Sequence, residues 1–200
     1  MEGGLKRVLV AYSTFSGSTA EVAKVIGDEL RATAQVEVWP MSDVGSFEGF
    51  DAAVLGAPMI LGWHRQARRF LRRHRRALEH IPLAIFVTAM SLTDTGERTV
   101  DGVPIVVDPR LAKLPQRAGR LSFKERYARL TNYLRPILHS ARPARPRTIG
   151  VFGGRLEYGR LPWYAVVFVM VFLKAPAGDR RNWEAIRSWA VSLRSDLEVQ

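Results

Sequence analysis

Val8-Leu-Val-Ala-Tyr-Ser-Thr-Phe-Ser-Gly-Ser-Thr19, continued by Ala-Glu-Val-Ala-Lys-Val-Ile26, decides how this chain is read. An apolar run rich in β-branched residues enters a short Ser/Thr/Gly turn and leaves as an amphipathic helix. That is a strand, a phosphate cradle and a helix N-terminus, in the order a parallel α/β sheet uses them. The turn holds no Lys or Arg, so a phosphate seated in it depends on backbone N–H groups, hydroxyls and the helix dipole. The ATP loop needs Gly-Lys-Ser/Thr and the dinucleotide fingerprint needs three spaced glycines. Gly17 is the one glycine of this turn, so both fit poorly. An uncharged cradle suits the monophosphate of flavin mononucleotide (FMN).

The remaining chain reads in the same alternating pattern. Strands are expected at 7–12, 35–40, 51–57, 83–90 and 148–153, and helices at 19–33, 65–80, 123–139 and 182–197. The runs at 51–57 and 83–90 are continuously apolar, as buried parallel strands are. Strands alternating with helices predict a doubly wound sheet. Ser122 and Glu125 have capping-box spacing ahead of the helix at 123. Nearly sixty residues separate the last two strands, too many for a loop and one helix. Residues 91–121, with three prolines, therefore read as a long excursion, and 141–147 as an extended linker.

At 200 residues and 47% hydrophobic composition, one domain spanning 1–200 is expected. With no cysteine, disulfides, iron–sulfur clusters, Cys-ligated zinc and thiol nucleophiles are excluded, and no metal site is expected. The first strand begins by about residue 7 with no signal peptide ahead of it, so the expected location is cytoplasmic. A net charge of +11 points to an anionic partner: nucleic acid, anionic lipid or an acidic small molecule. A GC-rich genome would also favour arginine.

Charge is concentrated in the helix at 65–80. Arg65, Arg68, Arg69, Arg72, Arg73, Arg75 and Arg76 share it, with no acidic residue before Glu79. Ala67, Phe70, Leu71, His74 and Leu78 form the opposite stripe at helical spacing. Like charges at i,i+4 repel, so the face is expected to meet carboxylates or anionic lipid. Nucleic acid is a poor match, because repeated base-stacking aromatics are missing from the stretch. Leu161 to Lys174 is the most hydrophobic segment. It is short of the roughly 20 residues that cross a bilayer. It reads either as core or as an interfacial patch with Arg160, Trp163 and Tyr164 at headgroup level.

Thr14-Phe-Ser16-Gly17-Ser-Thr19 resembles the phosphate loop of flavodoxins. Gly56-Ala-Pro-Met-Ile-Leu-Gly-Trp-His64, Arg72-Arg-His-Arg-Arg-Ala-Leu78, Gly154-Arg-Leu-Glu-Tyr-Gly-Arg-Leu-Pro-Trp-Tyr164 and Asn182-Trp-Glu are similar to the bacterial quinone-dependent protoporphyrinogen oxidase family. The Leu156/Tyr158/Trp163-Tyr164 cluster is the more specific pointer to that branch. The resemblance implies a flavodoxin-like, five-stranded, doubly wound parallel sheet with helices on both faces. It implies oxidation of a porphyrinogen, with electrons passed to a quinone at the inner face of the cell membrane. Departures from the family are Leu61 where it tends to have tyrosine, a short stretch at 175–179 and a longer, proline-rich 98–120. They bear on the electron donor more than on FMN.

In such a sheet the ligand sits at the carboxyl ends of the strands. Ser13, Thr14, Phe15, Ser16, Gly17, Ser18 and Thr19 are therefore expected around the phosphate. Pro58, Met59, Ile60, Leu61, Gly62 and Trp63, with Ala89, Met90, Ser91 and Leu92, are expected to flank the isoalloxazine. Trp63 reads equally as a packing residue. His64 titrates in a useful range but reads better as a surface or helix-capping histidine, and no catalytic acid or base is assigned. A quinone reductase or electron carrier with another donor, and a flavin-free basic scaffold binding lipid or nucleic acid, remain as alternatives. A homo-oligomer is compatible with all of them.

Overall fold

The computed structural model describes residues 5–60, 62–117, 120–156 and 178–199. Leu61, Tyr158 and the apolar segment 161–174 lie outside the described residues. In chain order the elements are β1 (Arg7–Tyr12), α1 (Ser18–Leu30), β2 (Gln35–Pro40), β3 (Ala52–Pro58), α2 (Arg65–Glu79) and β4 (Leu83–Ala89). Then come β5 (Leu92–Thr93), β6 (Thr99–Val100), β7 (Val103–Val107), β8 (Ala112–Lys113), α3 (Phe123–Tyr127) and α4 (Leu130–Ala141). The chain closes with β9 (Thr148–Gly153), β10 (Arg155–Leu156), β11 (Gly178–Asp179) and α5 (Trp183–Asp196).

The main sheet runs β2-β1-β3-β4-β9-β7-β6. Pairing is parallel from β2 through to β7, and β6 closes the edge antiparallel to β7. The five predicted strands lie side by side in it, and β7 extends the parallel part by one strand. The expectation of a five-stranded sheet is corrected to seven strands among the described residues. The excursion supplies the other two, because Ile105, Val106 and Val107 pair alongside β9, and β6 pairs with β7 in turn, covering what would be an exposed edge.

Period-2 alternation sorts the side chains into two cores. Val8, Val10, Val54, Ala84, Phe86 and Phe152 face α1 and α5. Leu9, Ala11, Leu55, Ile85, Val87 and Val151 face α2 and α4. Each fully buried aliphatic side chain of this kind contributes about 1.5–3 kcal/mol. On α2 the buried residues are Ala67, Phe70, Leu71, His74 and Leu78, the stripe its spacing predicts. The helix expected at 123–139 is broken instead into α3 and α4, with Ala128 and Arg129 between them. Phe123 stays largely exposed while Leu130, Tyr133 and Leu134 are buried, so two short axes replace one.

Candidate functional site

Three hydrogen bonds carry the strand ladder just past the carboxyl ends of β1, β3 and β9, the last of them onto the end of β4. Ser13 N donates to Gly56 O at 2.9 Å, Met59 N to Thr88 O at 2.8 Å and Gly154 N to Ala89 O at 2.9 Å. The four loops therefore leave the sheet at one edge, at the point where strand order reverses around β1 and β3. Between them is a cleft lined by Phe15, Ser16, Ser18 and Thr19, by Pro58, Met59 and Ile60, by Thr88, Ala89 and Met90, and by Gly154, Arg155 and Leu156.

The turn before α1 is shaped for an anion. Gly17 is the N-cap residue at φ 87°, in the left-handed region, and the helix has no side-chain cap. A β-carbon on Gly17 would meet no heavy atom within 4 Å, so the space over the turn is open. Gly17 N donates to Thr14 Oγ1 at 3.0 Å, which braces the turn from within. The N–H groups of the first helical turn have no intrahelical acceptor, and with the dipole they favour a phosphate or carboxylate. Thr19 Oγ1 lies 3.1 Å from Thr88 Oγ1, both buried, and ties the helix start to β4. An uncapped start, a left-handed glycine and open space fit a phosphate monoester.

The other expected residues separate into lining and support. Pro58, Met59, Ile60, Ala89 and Met90 line the cleft. Trp63 is buried with its indole N–H on Ala57 O at 3.1 Å, so it holds the loop from beneath. Gly62 N donates to Tyr127 Oη at 3.2 Å, and Ser91 O accepts from the Tyr133 hydroxyl at 3.1 Å. Burial raises the Tyr133 pKa, so that hydroxyl stays a donor at ordinary pH. Leu92 is buried on β5. Ser13 points away from the turn: its Oγ lies 2.6 Å from His64 Nδ1 and 3.0 Å from Gln66 Oε1.

Sequence reasoning missed Thr88, Gly154, Arg155 and Leu156 as lining. The turn itself is uncharged, as expected, but Arg155 brings a guanidinium to the same cleft. Arg155 Nη2 bonds Glu21 Oε1 at 2.9 Å, and the other Glu21 oxygen takes Arg181 Nη1 at 2.7 Å. Arg181 is nearly buried and also holds Asp179, whose pKa that bond lowers. Behind β10, the fully buried Asp108 accepts from Gly153 N, Arg110 N and Asn182 Nδ2 at 3.3, 2.9 and 3.0 Å. Asp108 thereby fixes the end of β9 against the start of α5.

Beside the cleft, and sharing Phe15 and Ile60 with it, is a hollow of about 390 Å³ completed by Trp63, His64, Arg65, Gln66 and Arg69. His64 occupies the N-cap position of α2 but makes no capping bond, so the helix-capping reading is set aside. Its ring stands edge-on to Phe15 with centroids 4.3 Å apart. Burial lowers its pKa, which keeps it neutral at pH 7. Among the described residues no group of His, Asp and Glu could hold a metal ion, and no helix is long and apolar enough to cross a membrane.

A family model described as a flavodoxin domain matches residues 9–181. Protoporphyrinogen IX dehydrogenase (quinone) of Escherichia coli is 22% identical over 196 residues, covering 92% of each chain. Among solved structures, a flavodoxin from the domain Archaea superposes with a TM-score of 0.50 at 12% identity over 96% of this chain and 99% of its own. An oxidoreductase from Corynebacterium diphtheriae gives 0.51 at 14% identity over 99% and 100%. These two share the fold.

Proposed function

Because the chain belongs to the flavodoxin domain family, with residues 9–181 matched, we propose that it is an FMN-dependent oxidoreductase that dehydrogenates protoporphyrinogen IX and passes the electrons to a membrane quinone. The observation that carries the cofactor assignment is the turn Thr14–Thr19, open over Gly17 and followed by an uncapped helix start. Its N–H groups, with the hydroxyls of Ser16 and Ser18, would hold the phosphate, while Arg155 adds a cation from the far wall. Met59, Ile60, Ala89 and Met90 would wall the ring system and exclude water from it. Bound FMN supplies the electron-accepting chemistry, and the protein supplies position and electrostatics.

The porphyrinogen assignment is supported by the relative that is 22% identical along 92% of the chain and by the charge of +11. A flavodoxin-type electron carrier presents acidic surface to its partners, so that charge weighs against a carrier. The exposed guanidiniums of α2 suit the anionic inner face of the cell membrane, where each basic residue contributes about 1 kcal/mol of attraction. In this reading the protein is cytoplasmic and peripheral, close to a lipid-dissolved acceptor.

The test is anaerobic. FMN-loaded protein is mixed with protoporphyrinogen IX and the flavin absorption is followed, then a quinone is added. Bleaching on the first addition and recovery on the second is the expected result. A flavin band that ignores the porphyrinogen but bleaches with a nicotinamide donor would reassign the protein as a quinone reductase. Failure to take up FMN would remove the redox reading. Sedimentation with anionic against zwitterionic vesicles tests the membrane surface, with salt-sensitive binding to the anionic ones expected.

A further inference from the structure

Arginines in the opening turns of a helix are electrostatically misplaced. The dipole puts partial positive charge at that end, where cations are unfavourable by about 0.3–1 kcal/mol each. On α2 the first turn has no acidic residue, and neither Arg65 nor Arg69 has an ion pair among the described residues. They are four residues apart, so they stand on one face. That face borders the hollow walled by Phe15, Ile60 and Trp63, next to the FMN cleft. An arrangement that is repulsive when empty becomes favourable when an anion arrives, because dipole and guanidiniums then act together.

We infer that this hollow is the substrate subsite, and that Arg65 and Arg69 anchor the carboxylates of a flat, largely apolar ring compound there. The proposal rests on the porphyrinogen reading and deepens it, by separating the two arginines of α2 that meet substrate from Arg72, Arg73, Arg75 and Arg76, which are exposed to solvent. The walls are apolar and aromatic, which suits a ring face. Two uncharged polar side chains, His64 and Gln66, sit among them. The single hydroxyl proton of Ser13 can go to Gln66 Oε1 at 3.0 Å, in which case His64 Nδ1 carries a hydrogen toward Ser13 Oγ at 2.6 Å. His64 Nε2 is then an acceptor for an N–H of the ligand. Phe15 and Ile60 line both the hollow and the cofactor cleft, which places the bound compound against the cofactor. The guanidinium fork discriminates a carboxylate from its ester, because the ester loses both the charge and half of the bidentate acceptor.

The experiment uses a stable oxidised probe. FMN-loaded protein is titrated with protoporphyrin IX and, separately, with its dimethyl ester, and binding is read from the porphyrin absorption. The intact protein is expected to prefer the free acid. The double variant Arg65→Gln/Arg69→Gln should weaken the free acid by about tenfold or more, at 1.4 kcal/mol per factor of ten, and leave the ester unchanged. Arg110→Gln/Arg117→Gln removes the same charge from exposed positions outside the hollow and should change neither affinity. Equal binding of acid and ester, the same loss in both double variants, or no porphyrin binding would each overturn the subsite. Flavin occupancy is read from its own absorption in every sample, so failure of FMN binding is a separate result.

Discussion

Helix starts at the cleft differ from the side-chain-capped starts of α3 and α5, although α4, which begins after Arg129, also has no side-chain cap. Away from the cleft, α3 and α5 satisfy their own first-turn N–H groups. Ser122 and Glu125 bond each other reciprocally, and Asn182 Oδ1 accepts from Ala185 N. At the cleft, α1 begins at Gly17 and α2 at His64, and neither has a side-chain cap. A missing cap ordinarily costs about 1 kcal/mol. The two open starts lie side by side at the carboxyl edge of the sheet, where ligands of such folds bind. In the proposed function, the two uncapped ends at the cleft are places where an anion would complete the structure. They differ in charge: α1 opens from an uncharged turn, suited to a phosphate held by backbone, and α2 opens among guanidiniums.

Substitutions sharpen this contrast, beginning with the largest effect. Gly17→Asp places a β-carbon at φ 87° and a negative charge where the phosphate would lie. FMN retention should be abolished while stability falls only by the left-handed strain, about 1–2 kcal/mol, because no atom lies within 4 Å of the new β-carbon. Normal flavin content in this variant would break the comparison. Asn182→Ala, at a self-capped start, should do the reverse. It removes the cap and one partner of the buried Asp108, lowering stability by about 2 kcal/mol with FMN affinity unchanged, as read by denaturant melts and flavin titration. Gly17→Ala carries the left-handed strain alone, about 1–2 kcal/mol. It should keep FMN with an affinity reduced by about tenfold.

The smallest effect is one of pH. His74 is buried under α2 against Phe47 and Phe70. Burial, with Arg73 adding repulsion, holds its pKa below the ordinary 6.5. The unfolded chain therefore binds the proton more readily than the folded one. Stability is full above pH 6.5 and falls as pH drops through the folded value. His64 acts in the same direction. His74→Phe should flatten part of the fall in melting temperature between neutral and mildly acidic pH. An unchanged slope would show that His74 does not contribute to it.

Much of this architecture was legible in the chain. Apolar runs such as Val8–Ala11 and Leu83–Ala89 have no alternative to buried strands, and the 3.6-residue stripe on α2 names its buried side chains. The left-handed turn before α1 was legible because its residue types and its place between strand and helix are local. What escaped was carried by distant pairing. Val103–Val107 contains a proline and is only five residues long, so nothing local marks it as a partner of β9. The break between α3 and α4 follows from which side chains the core accepts, while Ser122 and Glu125 signal only the start. Arg155 reaches Glu21 across 134 residues, and His64 reaches Ser13 across 51. The rule that ligands gather at the carboxyl ends of strands, applied to β9 as it was to β1, β3 and β4, would have found Gly154–Leu156.

The central claim is that the open start of α1 recognises a phosphate, and the measurement that tests it most directly compares FMN with riboflavin. The two share the ring system and differ at the phosphate. Titration of the flavin-free protein, followed by flavin fluorescence, should show FMN binding about 100-fold tighter or more, equivalent to two or more charge-assisted hydrogen bonds. Equal affinity for riboflavin and FMN would contradict the account, because the turn from Thr14 to Thr19 would then have no phosphate to hold.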